Sequence, residues 1–240
     1  NVKYYPDRIN TPLGKYEENY LRKNNTLNVA VYDDYKPISY YDKKSHKYKG
    51  IAVDLMDKLG EKLGIKFRYF AINTKDPYDM FNSTKTDIVL PVYVDDLMYY
   101  KTKSLFDSDI NYITKSSYGT LNDNARIAVV KKYKYISDCL KNKTKYNIVE
   151  YDTIEDACNG VNDGEVDAFA TSTYNAKFII QNPRYRKLDI REFDNISLPF
   201  GLAINNNSIL ESALNKGIQY ITSEERKNII DKDTAYKWSD

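Results

Sequence analysis

The chain carries a single histidine, His46, set in the polar run KKSHKYK. Histidine-based catalytic triads and multi-histidine metal sites are therefore out of reach. No GxGxxG, P-loop, GxSxG, HExxH or CxxC pattern occurs. The acid pairs Asp33/Asp34 and Asp95/Asp96 follow apolar runs, where adjacent carboxylates are usually solvated or capping. Cys139 and Cys158 show no metal spacing. They fall on consecutive helices either side of one strand, and right-handed crossovers that reverse across a sheet put such helices on opposite faces, so two buried free thiols are expected. No cofactor and no metal is implied. The 24 tyrosines are the conspicuous chemical resource. They read either as an aromatic-rich ligand surface or as the coding bias of an AT-rich genome.

Lysine plus arginine number 36 against 34 acids, a net +2 without long charged blocks, so nucleic acid is not an expected partner. No apolar run approaches the roughly 18 residues of a membrane span, and NVKYYPDRIN lacks the apolar core of a signal peptide. Either a leader and an anchor lie outside the chain or the protein is cytoplasmic. At 240 residues, one large unit and two similar small ones are both open.

The elements that would position any site follow from periodicity. Residues 1–20 show no clear period and carry Pro6, Pro12 and Gly14, which predicts a linker or arm. LNVAVY (27–32) alternates as a strand, DDYKP is a turn, and ISYYDKKSHKYKG is a polar hairpin-like excursion ending at Gly50. Ile51, Leu55, Leu59 and Leu63 recur every four residues, which predicts an amphipathic helix stopped at Gly64. IKFRYFAI and TDIVLPVYV follow as strands. The pattern then restarts: RIAVVKK, YNIVEYD and EVDAFAT as strands with helices between them, the second helix capped by Thr153. ISLPFGLAIN (196–205) is a further strand, Ile209–Ile221 a helix, and a last helix starts at Ser223, where Ser223 and Arg226 allow a cap without an acidic box. Repeated strand-helix-strand units predict an α/β protein with parallel sheets. Ligands of such sheets bind at the strands' carboxyl ends, here 32–37, 91–96, 131–134 and 171–174.

In order and spacing, LNVAVYDDYKPISYYD, YKGIAVDLMDKLGEKLGIKFRYF, TDIVLPVYVDD, SLFDSDINY, GEVDAFATSTYNA and LPFGLAINNNSILESALNKGIQYI resemble the type II periplasmic binding-protein fold. The likeness lies with the branch of polar amino-acid binding proteins and extracytoplasmic Venus-flytrap sensors, over residues 20–232. It implies two doubly wound α/β lobes joined by a two-strand hinge, crossed near Tyr112–Ser117 and Asn195–Pro199. Lobe one would be 21–114 plus 196–240, and lobe two the inserted 115–195. The family's amino-acid binders hold the ligand carboxylate with an arginine and its amine with an aspartate. Here the arginine slot falls at Tyr99, the aspartate slot at Ser172, and a glycine-threonine pair becomes Lys132 and Tyr133. A buried zwitterion without counter-charges would cost several kcal/mol, so a standard α-amino-acid ligand is not expected. Tyr32, Tyr35, Tyr93, Asp95, Lys131, Lys132, Tyr133 and Ser172 would instead offer aromatic surface, hydroxyls and charge to a neutral or anionic polar molecule. For each tyrosine, a half-buried strand-end role reads equally well.

The implied function is an extracytoplasmic small-ligand sensor domain on the outer face of the membrane. It would close on its ligand and signal to a histidine kinase or diguanylate cyclase in the same chain, with a homodimer of the full receptor allowed. The alternative is the solute-binding protein of an ABC transporter, docking on a permease; a remote one is an enzyme like cyclohexadienyl dehydratase. ENYLRKNNTLNVAVY resembles the junction of tandem sensor modules, and TSEERKNIIDKDTAYKW resembles a tail leading toward a membrane segment.

Overall fold

A computed structural model describes residues 12–83, 85–95 and 97–235. The chain opens with α1 (Lys15–Lys23) and β1 (Thr26–Val31), then the small antiparallel sheet β2 (Asp34–Tyr35), β3 (Ser39–Asp42) and β4 (Lys47–Lys49). Next come α2 (Ile51–Leu63), β5 (Lys66–Ala71), α3 (Met80–Ser83), β6 (Ile88–Val92) and β7 (Tyr100–Lys101). β8 (Ile110–Lys115), β9 (Arg126–Val130), α4 (Lys134–Lys143), β10 (Asn147–Tyr151) and α5 (Ile154–Asn162) follow. The chain continues with β11 (Ala168–Ser172), α6 (Thr173–Ile179), β12 (Leu188–Arg191), β13 (Gly201–Ile204), α7 (Ser208–Tyr220) and α8 (Ser223–Thr234).

Two five-stranded sheets result, ordered β5-β1-β6-β13-β7 and β10-β9-β11-β8-β12. In each, three parallel strands come from strand-helix-strand units, and two antiparallel strands complete the other edge. α2 explains the local logic. Its apolar face, Ile51, Leu55, Leu59 and Leu63, is buried. Gly64 closes the helix in the left-handed conformation at φ 74°, which a glycine adopts without strain. At Gly50 (φ 120°) an added side-chain carbon would collide with the carbonyl of Ile38, so the hairpin can pass into the helix only through glycine. Pro91 sits in the central strand β6. Between its pairings with Gly201 and Ala203 that strand carries one extra residue, a bulge that accommodates a residue with no N–H to give.

Three expectations need correction. Residues 1–11 lie outside the described part, but Lys15–Lys23 is a helix rather than an arm. It packs on α7, burying Leu21 and directing Glu17 to Lys216 (2.5 Å). A nine-residue segment with one buried apolar position gives no readable period. The first crossing between sheets lies earlier than Tyr112–Ser117. Ile110–Lys115 already pairs within the second sheet, and the two connecting segments touch through Leu198 N–H to Ser108 O (2.8 Å), Ile110 N–H to Ile196 O (2.9 Å) and the bridge Asp109/Ser197. Accordingly β13 begins at Gly201 and not at Ile196. Finally, α8 is capped by Thr222 with Glu225 in a full capping box, one residue earlier than expected.

Cys139 and Cys158 are free and buried, as expected. Burial pushes both thiols up to about 12. Native protein at pH 8 should therefore leave a thiol-specific chromogenic reagent unconsumed until denaturant is added; rapid labelling of either cysteine in folded protein would refute this.

No residue of α8 is fully buried. Arg226 donates to the carbonyl of Leu105 (3.0 Å), and Glu225 meets Lys62 (2.9 Å). At its far end Asp233 faces Asp54 of α2, which also meets Lys232 (3.4 Å). Burial, then the hydrogen bond to Asp54 and its negative charge, raise Asp233 to about 8. In the unfolded chain an aspartate ionises near about 3.9. The contribution of this contact is thus fully present below that pH and is lost as pH rises through about 8. Asp233→Asn should flatten the fall in melting temperature between pH 5 and pH 9; an unchanged pH profile would count against a protonated Asp233.

Candidate functional site

The carboxyl ends of β1, β6, β9 and β11 meet where the two lobes face each other. From lobe one, Tyr35 reaches across with its ring wholly buried. Its hydroxyl lies 2.7 Å from Ser172 Oγ, 2.9 Å from Tyr135 Oη and 3.2 Å from Thr171 Oγ1, all on lobe two. Thr171 donates to Asn175 Oδ1 (2.8 Å), and Asn175 Nδ2 returns to lobe one at the carbonyl of Lys36 (2.8 Å). Thr171, Ser172 and Asn175 are buried as well. This circuit consists of hydroxyls and one amide.

Rings surround it. Tyr133 of lobe two lies against Tyr35 (centroids 4.2 Å apart, 30° between planes) and meets Tyr32 edge-on at 5.0 Å. Tyr135 stands edge-on to Tyr35 at 6.2 Å. Edge and offset contacts of this kind contribute about 0.5–1.5 kcal/mol each beyond burial. At the rim Tyr133 donates to Asp34 Oδ1 (3.2 Å), and Lys132 pairs with the same carboxylate. Burial holds the phenols of Tyr32, Tyr35, Tyr133 and Tyr135 above the usual tyrosine range, so they stay protonated and neutral. Tyr32's hydroxyl is buried without a hydrogen-bond partner among the described residues.

A second contact lies beside this one. Tyr93 donates to Asp95 (2.9 Å) and accepts from Asn142 Nδ2 (2.8 Å), while Lys143 meets Asp95 (3.4 Å). Burial, followed by the Asp95 carboxylate, pushes Tyr93 up to about 12. Between the two clusters a space bordered by Asp76, Tyr78, Pro91, Lys134, Tyr135 and Asp138 measures about 10 Å³, the room of about one water molecule.

Of the expected residues, the structure gathers Tyr32, Tyr35, Tyr133 and Ser172 into one cluster, with Lys132 at its rim and Tyr93 with Asp95 in its neighbour. Lys131 belongs to neither: it meets Asp152 (3.3 Å) on the outer side of lobe two. Tyr99 stacks on Tyr78 and Phe81 (5.1 and 4.8 Å) in the left-handed conformation at φ 56°. Sequence reasoning missed Asp34, Tyr135, Asn142, Lys143, Thr171 and Asn175. Asp34 and Thr171 lie in the strand-end segments already marked. The others sit on α4 or α6 and gave no signal, because their partners are on the opposite lobe.

Residues 27–97 match the family described as bacterial extracellular solute-binding proteins, family 3. No curated protein matches the chain by sequence. Among solved structures, the periplasmic VFT2 domain of BvgS from Bordetella pertussis superposes with a TM-score of 0.75 at 15% identity, covering 92% of this chain and 98% of that one. The fold is that of the type II periplasmic binding proteins. The whole BvgS periplasmic domain matches at 0.77 and 16% identity, over 95% of this chain and 46% of that one. The same fold carries an amino-acid ABC transporter substrate-binding protein, AbpA from Streptococcus pneumoniae bound to L-arginine, at 0.70 and 16% identity, over 90% and 98%. In a type II binding-protein fold the junction of the lobes is the cleft, and here Tyr35, Tyr133, Tyr135 and Ser172 meet across it.

The bonds around Tyr35 give a graded test. Ser172→Ala leaves Tyr35 two partners and should cost about 1 kcal/mol, whereas Tyr35→Phe strands several buried hydroxyls and should cost about 1–3 kcal/mol. Urea denaturation at two salt concentrations would check this. Equal losses, or losses that vanish in high salt, would show that the rim ion pairs dominate instead.

Proposed function

We propose that the chain is the extracytoplasmic sensing module of a membrane receptor, one whose closed arrangement is set by its own side chains. The observation that carries this reading is the Tyr35 hydroxyl seated among Ser172, Tyr135 and Thr171 of the opposite lobe. A transport protein must offer a site that fills and empties. A sensor needs only two lobe arrangements of similar free energy and something that prefers one of them. The inter-lobe circuit and its ring contacts amount to several kcal/mol at about 0.5–1.5 kcal/mol apiece. That is comparable with the about 2.7 kcal/mol that a ligand at 100 times its Kd supplies, so a ligand or a pull from a neighbouring domain can shift the balance.

Tyr32, Tyr35, Tyr93, Asp95, Lys132, Tyr133 and Ser172 would be the residues whose rearrangement admits a ligand. Neutral phenols, hydroxyls and rim charges suit a small polar molecule better than a zwitterionic amino acid, which would lack buried counter-charges. Support for the receptor role comes from the BvgS periplasmic domain, which the chain matches over nearly all of its own length. The family match supports a place outside the cytoplasm. The output, a histidine kinase or a diguanylate cyclase, would act in the same chain. Delivery to an ABC permease is the second reading, favoured by the likeness to the AbpA substrate-binding protein.

The test is a thermal-shift and calorimetric screen of amino acids, nucleosides, sugars and small acids on the native chain and on Tyr35→Ala, with X-ray scattering on both. The native chain should stay compact and bind common solutes weakly or not at all, and the variant should be more open. Stoichiometric, tight binding of an ordinary L-amino acid by the native chain would overturn the sensor reading in favour of transport.

A further inference from the structure

Lobe two carries a second concavity, away from the cleft. The end of β8 supplies Lys115 and Ser117, the end of α5 supplies Asn162, and the turn before β12 supplies Arg184, Arg186 and Lys187; together they border a depression of about 840 Å³. Small-molecule sites occupy roughly 300–1,000 Å³. The lining contains four cations and no carboxylate. Arg184 meets Glu155 (2.9 Å), while Lys115, Arg186 and Lys187 have no acidic partner among the described residues. Five acids of this lobe, Glu150, Asp152, Asp156, Asp163 and Glu165, border a separate depression. The side chains of Ser117 and Asn162 also make no hydrogen bond to other described residues, so uncommitted hydroxyl and amide donors stand beside the uncommitted cations.

Cations gathered in one concavity repel one another unless an anion sits among them. Guanidinium forks bind oxyanions through two parallel bonds, and a phosphoryl group offers three acceptor oxygens to donors arriving from different directions. A single carboxylate would satisfy fewer of them. The geometry points to a binding site for a multiply charged phosphate-bearing ligand on the outer face of lobe two, with Lys115, Arg186 and Lys187 supplying charge and Ser117 and Asn162 supplying orientation. It rests on this lobe alone and holds whichever reading of the cleft is right.

Inorganic diphosphate and vesicles containing an anionic phospholipid are the two probes, titrated at physiological salt into isotope-labelled chain and followed by amide NMR shifts and by co-sedimentation. Saturable shifts confined to the neighbourhoods of Lys115, Asn162 and Arg186 are expected with diphosphate, weakened at least about tenfold in Lys115→Gln/Arg186→Gln/Lys187→Gln. Asp156→Asn should leave them unchanged, and near-native melting temperatures would show that the variants remain folded. Binding of diphosphate alone identifies a soluble ligand, and binding of vesicles as well identifies a lipid headgroup; either supports the site. Shifts that do not saturate, that scatter over the surface or that persist in the triple variant overturn it. So does saturable binding of a glutamate-rich peptide without binding of diphosphate, which would assign the groove to an acidic protein partner.

Discussion

Between the two lobes, a single phenol organises the contact. Tyr35 leaves lobe one from β2, the first strand of the small sheet, and its hydroxyl is shared by three hydroxyls of lobe two. Because the site is buried, each of those groups would cost about 1–3 kcal/mol if left unpaired, more than a made bond contributes net. In this arrangement the hydroxyls are satisfied together. Two exposed ion pairs at the rim, Lys132 with Asp34 and Lys143 with Asp95, add about 0–1 kcal/mol apiece and set register more than strength.

The remaining architecture holds these groups at the meeting point. Parallel strands β1, β6, β9 and β11 all run toward it, so the loops that follow them converge without needing charges to draw them in. The hinge is short, formed where segments 106–110 and 196–200 lie side by side, and its placement leaves β8 wholly inside lobe two. Any rotation of one sheet against the other would be absorbed there. Cys139 lies beside the hinge, its sulfur 3.9 Å from the carbonyl of Ser197.

Charge is distributed by location. The Tyr35 cluster is neutral and phenolic with charged pairs at its rim, while lobe two carries a basic depression and a separate, mainly acidic one on its surface. At the opposite end, α8 is attached by its cap, by Arg226 and by the half-buried Ile229 and Ile230, which pack against the core.

By itself the sequence determined the strands and helices of the parallel units and their order. The four-residue recurrence of Ile51, Leu55, Leu59 and Leu63, the alternation in LNVAVY and RIAVVKK, and the repeated strand-helix unit are local patterns, and local patterns fix helices, strands and parallel crossovers. Through the resemblance, Tyr99 and Ser172 at the two charged slots raised the expectation of a ligand other than a standard amino acid. Tertiary structure alone decided which side chains meet across the cleft. Tyr35 and Ser172 are separated by 137 positions, and nothing in the neighbourhood of either specifies that their hydroxyls meet. The same holds for Lys131 and Lys132: adjacent residues of a strand's end point to opposite sides, so one faces Asp152 outside and the other Asp34 across the cleft. Long-range hydroxyl pairs carry no period and no motif, and they become visible only once the two sheets have brought their ends together.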